Sequence, residues 1–172
     1  APTPRIALVR RELTVPALSG SELTTSSIIL ARSVEQLTQA LPPEKQQDNP
    51  YVFGPLKVTP APDRTFAAAG EMQVLFWIYG ATDKGGKPDI QVDYNFHQRQ
   101  ADGSEKYFNK TAPQALNATT LPPDFNLAQG HQLLGSVRIT SLSPFPPGDY
   151  RLEITVTDKA SGKTVTQNEN FK

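Results

Sequence analysis

Residues 148–172, GDYRLEITVTDKASGKTVTQNENFK, constrain the fold more tightly than any other stretch of the chain. Tyr150, Leu152, Ile154 and Val156 share one parity, while Arg151, Glu153, Thr155 and Thr157 share the other. Side chains alternate across a strand, so a period of two describes a strand with one apolar and one polar face. Lys159-Ala160-Ser161-Gly162 supplies a turn in which Gly162 is free to adopt positive φ. The chain then returns through Val165 to Phe171, which lie on one parity. This is a β-hairpin, and its apolar face requires a second layer.

The same period recurs upstream. Ile90, Val92, Tyr94 and Phe96 alternate with Gln91, Asp93, Asn95 and His97. Ala101-Asp102-Gly103-Ser104 turns the chain, and residues 106–110 return as a second hairpin. Residues 72–79, MQVLFWIY, are apolar at nearly every position and bounded by Gly70 and Gly80, which reads as a strand buried on both sides. In a two-layer sandwich only one face of that strand meets the core. The face carrying Leu75, Trp77 and Tyr79 then needs cover from the N-terminal segment, a long loop or another protein.

Shorter signals fill the remainder. Residues 6–9 and 13–15 are apolar runs closed by Pro16, Gly20-Ser21 marks a turn, and residues 24–31 suit a strand. Ser33, with Gln36 three residues on, has the form of a capping box, which predicts one or two helical turns over residues 33–41. Residues 43–50 are polar or proline throughout and read as a linker. Val52-Phe53 and residues 56–59 flank Gly54-Pro55, residues 64–66 pair only briefly, residues 111–131 are mostly loop, and residues 133–139 form a strand around Gly135. The predicted fold is an all-β antiparallel sandwich of the immunoglobulin/fibronectin type over residues 49–172, with at least seven strands. Residues 1–48 form a strand-containing extension packed on it.

Composition narrows the function. Lys plus Arg and Asp plus Glu each total 17 in the 172 residues, and no basic run exceeds Arg10-Arg11, which disfavours nucleic-acid binding. The chain has no cysteine, hence no disulfide, thiolate nucleophile or zinc–thiolate site. No run of 18 apolar residues is present, so no transmembrane segment is expected. The opening Ala-Pro-Thr-Pro fits either the residue after a cleaved signal or a domain boundary.

The residues that carry chemistry have bland readings. His97 and His131 read as surface residues, with no spacing that asks for a metal. No Gly-x-Ser-x-Gly elbow occurs. Asp89 and Asp93 lie four apart, roughly 13 Å along a strand, too far for a glycosidase pair. Asp83, Asp102 and Asp158 fall in turns where Ca²⁺ would bind only if other ligands converged. Gly80 and Gly85-Gly86 lack a phosphate-cradling pattern. Residues 109–111 and 117–119 match the N-glycosylation triplet and mark exposed positions. No catalytic residue, metal or cofactor is expected.

The Pro-Gly-Asp-Tyr turn feeding an alternating strand, followed by Thr-Asp-x-x-Ser-Gly-Lys, resembles the last hairpin of bacterial immunoglobulin-like and fibronectin-type domains. That resemblance implies a corner motif in which Tyr150 ties a loop to the penultimate strand. Over a larger part of the chain, residues 23–31 (LTTSSIILA), 63–66 (DRTF) and 116–123 (LNATTLPP) resemble the C-terminal β domain of secreted acidobacterial proteins. Some of those carry a von Willebrand factor A-related domain upstream, whose Asp-x-Ser-x-Ser metal motif is absent here. The resemblance implies an accessory domain of an extracytoplasmic protein and supplies no catalytic residues.

Two functions follow as expectations. The first is a non-enzymatic structural or interaction module contacting a protein partner or a neighbouring domain of a longer chain, with residues 1–31 as the contact. In the competing reading that segment covers the Trp77 strand internally. The second function is a carbohydrate- or ligand-binding sandwich with Trp77, Tyr94, Tyr107 and Tyr51 as its aromatic platform. Tyr150, Trp77, Gly148 and Gly162 are the residues expected to hold the architecture.

Overall fold

A computed structural model describes residues 22–172. The apolar runs at residues 6–9 and 13–15, the Gly20-Ser21 turn and most of the proposed contact segment lie outside the described residues.

The strands are β1 (Thr24–Thr25), β2 (Ile29–Gln36), β3 (Val52–Phe53), β4 (Leu56–Pro60), β5 (Met72–Tyr79), β6 (Ile90–Arg99), β7 (Glu105–Lys110), β8 (Gln114–Leu116), β9 (Leu133–Ile139), β10 (Tyr150–Asp158) and β11 (Thr164–Phe171). All of their pairings are antiparallel. One sheet runs β3-β4-β2-β5-β9, with β1 beside β2 against the same edge of β5. The other runs β11-β10-β6, with β7 and β8 sharing the far edge of β6. The chain crosses between sheets three times, from β5 to β6, from β8 to β9 and from β9 to β10, giving the two-layer antiparallel sandwich that the alternating strands require.

Between the layers lies one large core. Met72, Val74, Phe76 and Ile78 of β5 meet Ile90, Val92, Tyr94 and Phe96 of β6, and Tyr150, Leu152, Ile154 and Val156 of β10. Most of these side chains are almost wholly removed from water. Each fully buried aliphatic or aromatic side chain contributes about 1.5–3 kcal/mol of transfer free energy.

The N-terminal third departs from its sequence reading. Residues 33–41 do not form a helix, because β2 continues to Gln36 and Val34 pairs with Val58 of β4. A short polar helix with one apolar side offers little, whereas pairing gains backbone bonds on an existing sheet and buries Val34 beside Ala31 and Val58. A bulge at Arg32, between Ala31 and Ser33, turns Val34 to that side. The strand expected over residues 24–31 is broken at residues 26–28. There Ser26 replaces the ladder, its N–H donating to Trp77 O (2.9 Å) and its hydroxyl accepting from Trp77 N (2.9 Å). The linker holds one turn of helix, α1 (Pro43–Gln46). Residues 64–66 do pair briefly, with the last residue: Phe66 N–H donates to Lys172 O (2.7 Å) and Lys172 N–H to Arg64 O (2.9 Å).

Candidate functional site

Three turn carboxylates are committed to the fold. Asp158 is wholly buried at the end of β10. Its carboxylate accepts from Thr82 N (2.9 Å), Ala160 N (2.9 Å) and the Ser161 hydroxyl (2.8 Å). Burial alone would raise its pKa, but hydrogen bonds from Thr82, Ser161 and Ala160 outweigh it and hold the group at about 2. Asp102 accepts from the amide (2.9 Å) and hydroxyl (2.6 Å) of Ser104, which hold its pKa low. Asp83 accepts from Gly86 N. These three carboxylates cap three separate turns, and among the described residues no group of three or more His, Cys, Asp or Glu side chains is placed to hold a metal ion.

The two histidines are not brought together. His131 Nδ1 accepts from Asn126 N (3.1 Å) within the loop before β9. His97 lies half-buried on the outer face of the second sheet, edge-on to Tyr107 and with Nε2 4.0 Å from Glu153 Oε1. Around it runs an ion-pair ladder. Arg151 joins Glu153 (2.9 Å) and Glu105 (2.7 Å), and Arg99 joins Glu105 (3.4 Å). The Arg151 hydrogen bond is the main cause of the lowered Glu105 pKa. This outer face is polar throughout β10, as its alternation predicts.

The four aromatic residues expected as one ligand platform are dispersed. Tyr94 is 1% exposed in the core, where its hydroxyl donates to Gln114 Oε1 (3.0 Å) and burial pushes its pKa up. Its ring is therefore unavailable to a ligand. Tyr107 is exposed on the outer face of the second sheet, whereas Tyr51 is exposed beside β3 of the first. Trp77 lies half-buried on the outer face of the first sheet, its ring edge-on to Phe53 at 4.7 Å. Inward and outward positions on two different sheets cannot share a plane.

That Trp77 face is apolar. Ala31, Val58 and Leu75 are buried there, with Ile29, Val34, Phe53 and Leu134 packed partly exposed around them. Leu75 and Trp77 fall on the parity opposite the core, so β5 is apolar on both sides as its sequence demands.

Of the four architectural residues, Tyr150 and Gly148 lie together at one end of the sandwich, whereas Gly162 closes the β10–β11 turn at the other. The Tyr150 hydroxyl donates to Pro146 O (2.7 Å), tying the loop before β10 to the strand's first residue. Tyr150 stacks on Phe171 at 5.4 Å and 19°. Gly148 has φ +156°, which few residues with a side chain adopt. Gly162 has φ +75° in the final turn. The corner walls a pocket of about 330 Å³, whose sides include Phe66, Leu142, Phe145, Tyr150 and Phe171. Phe66 and Phe145 stand edge-on or inclined to Phe171 at 6.3 and 6.2 Å. A shallower polar depression of about 170 Å³ adjoins it and shares Asp149, Tyr150, Phe171 and Lys172. Sequence analysis found Tyr150 and Gly148 but missed Phe66, Phe145 and Phe171. An aromatic residue set among Pro144, Pro146 and Pro147 was the signal that could have pointed to Phe145.

Fold and surfaces together define a β-sandwich domain. No family model matches the chain, and no curated protein matches it. Among solved structures, it is similar to an alkylpurine DNA glycosylase of Pseudomonas fluorescens bound to DNA containing an abasic site analog. The identity is 12% and the TM-score 0.42, over 88% of this chain and 30% of that one. A β-glucuronidase 2 of Bacteroides uniformis shows 10% identity and a TM-score of 0.39, over 83% of this chain and 12% of that one. A family 123 glycoside hydrolase from Clostridium perfringens shows 10% identity and a TM-score of 0.35, over 87% and 27%. The chain thus spans less than a third of each of these proteins. No helix among the described residues is long and apolar enough to cross a membrane.

Proposed function

We propose that this chain is a non-enzymatic interaction module of an extracytoplasmic bacterial protein, an immunoglobulin-like sandwich that docks a neighbouring protein domain through the outer face of its first sheet. The observation that carries this reading is the contrast between the two outer faces. The second sheet presents Arg151, Glu153, Thr155 and Thr157 to water. The first sheet instead presents Phe53, Ile29, Val34 and Leu134 around a buried Ala31–Val58–Leu75 centre, with Trp77 edge-on to Phe53. A two-layer sandwich needs only its inner faces to be apolar, so an apolar outer face marks a surface that meets protein. The Tyr150–Pro146 corner and the order β11-β10-β6 opposite β5-β9 support the immunoglobulin-like assignment. The resemblance of residues 23–31, 63–66 and 116–123 to the C-terminal domain of secreted acidobacterial proteins supports the extracytoplasmic setting.

Trp77 is the only tryptophan, so its emission reports on this face alone. The test compares the full chain with a chain beginning at Glu22, and each with Trp77→Ser. If the face serves an external domain, acrylamide quenches Trp77 equally in both lengths, and Trp77→Ser costs less than about 1 kcal/mol in urea unfolding. Quenching that rises sharply on removal of residues 1–21, together with a Trp77→Ser cost of about 3 kcal/mol or more, would assign the face to internal cover and end the proposal.

A further inference from the structure

We propose that the pocket beneath the Tyr150 corner binds a small aromatic carboxylate, its ring among Phe66, Phe145, Tyr150 and Phe171 and its acid group in the adjoining polar depression. Size is the first argument. About 330 Å³ lies at the lower end of the range of ligand pockets, enough for a body of one or two fused rings. The second argument is the chemistry of the walls. Four rings line the cavity, and several already meet edge-to-face or stacked, the arrangements that the ring quadrupole favours. A planar aromatic guest extends this set, whereas a sugar, with a hydroxyl on nearly every carbon, would find only Asp149 and Lys172 at the rim as side-chain partners. The one hydroxyl in the wall, that of Tyr150, is already committed to Pro146 O.

The polar end of the ligand must therefore be met outside the aromatic well. The adjoining depression carries three cations, Arg64, Arg99 and Lys172, against the carboxylates of Asp63 and Asp149. Arg64 is paired with Glu169 (3.1 Å), Arg99 with Glu105 (3.4 Å), and Asp63 with Arg32 (2.5 Å). Lys172 and Asp149 have no side-chain partner among the described residues, and both border the well as well as the depression. Lys172 is the one cation lining the depression without a side-chain partner among the described residues, and its ammonium is what favours an anionic substituent, reaching out past Phe171.

The experiment titrates the full chain with indole-3-propionate, indole and tryptamine, following backbone amide shifts by NMR. With fourteen non-hydrogen atoms, indole-3-propionate should saturate with a Kd of about 1 mM. Its shifts should centre on Leu142, Phe145 and Gly148, and it should bind more tightly than tryptamine. Lys172→Gln should weaken the carboxylate about threefold and leave indole unchanged. Ala68→Phe, at an exposed position on the pocket rim, should abolish binding of all three without unfolding the domain. Phe145→Ala should do the same, but Ala68→Phe decides the matter if that variant fails to fold. Absence of saturable binding, shifts centred elsewhere, or binding that survives Ala68→Phe would overturn the proposal. Tighter binding of N-acetyltryptophanamide than of indole-3-propionate would also overturn it, assigning the pocket to a side chain of a protein partner.

Discussion

Gly135 of β9 and Phe76 of β5 lie directly opposite each other, and a Cβ at position 135 would stand 2.3 Å from Cζ of the Phe76 ring. Both positions face the core, and the ring occupies the space the glycine leaves. Phe76 is 1% exposed and has nowhere to retreat. Gly135→Ala should therefore cost about 3 kcal/mol through overpacking. Phe76→Leu in the Gly135→Ala background should recover part of that loss, with a coupling of about 1–2 kcal/mol in a urea-unfolding double-mutant cycle. Strictly additive losses would show that the two positions do not share this space.

Asp158 predicts an acid-side loss of stability. Its pKa lies near 2 in the folded protein against an ordinary value of 3.8, so the native state favours the charged form. The contribution, about 2 kcal/mol, is complete above the unfolded value and fades as pH falls from about 4 towards 2. Urea midpoints of wild type and Asp158→Asn should differ most near neutrality and converge at about pH 2. A gap that stays constant across that window would contradict the assignment.

The corner hydroxyl makes a modest contribution. Tyr150→Phe keeps the buried ring and its stack on Phe171 but removes the bond to Pro146 O. The loss should be about 1 kcal/mol, because Pro146 is exposed and water can replace the donor. Tyr150→Ala should cost about 4 kcal/mol by emptying the ring's site. Equal losses for the two variants in thermal unfolding would mean that the hydroxyl, not the ring, holds this end of the sandwich.

Gln114 ties the two sheets together through one oxygen. Its Oε1 accepts from Tyr94 Oη (3.0 Å), in the second sheet, and from Ser136 N (2.9 Å), in the first. Gln114→Leu strands both donors and should cost about 2–3 kcal/mol. Adding Tyr94→Phe removes one stranded donor and should recover about 1 kcal/mol. Denaturant unfolding of the single and double variants measures this directly, and a further loss on adding Tyr94→Phe would refute the bridge.

Legibility tracked the strength of local periodicity. The reading of residues 72–79 as a strand coincides with β5, because apolar side chains at every position between two glycines leave little else to form. The hairpins β6–β7 and β10–β11 were visible for the same reason, as was the positive φ at Gly162. Residues 33–36 were misread because their local signal, a serine and a glutamine three apart, is weak beside the pairing of Val34 with Val58, 24 positions later in sequence. At the pocket, Tyr150 and Gly148 announced themselves through the turn they begin. Phe66 and Phe171 did not, since what joins them is the pairing of residues 64–66 with the end of the chain.

Local pattern settles the class of structure: alternation fixes which side chains must leave water together, and turns rich in Gly and Pro fix where strands end. It also determined that β5 is apolar on both faces. Long-range packing, by contrast, sets which face meets the core, makes Gly135 the space for Phe76, and encloses Tyr94 while leaving Tyr107 exposed. It also decided that aromatic residues from the β4–β5 connection, the β9–β10 loop and β11 enclose one cavity. Periodicity reports the orientation of a side chain relative to its own strand. Which partner lies opposite is set by strand order and register, and those depend on long-range pairings that no local window of the chain contains.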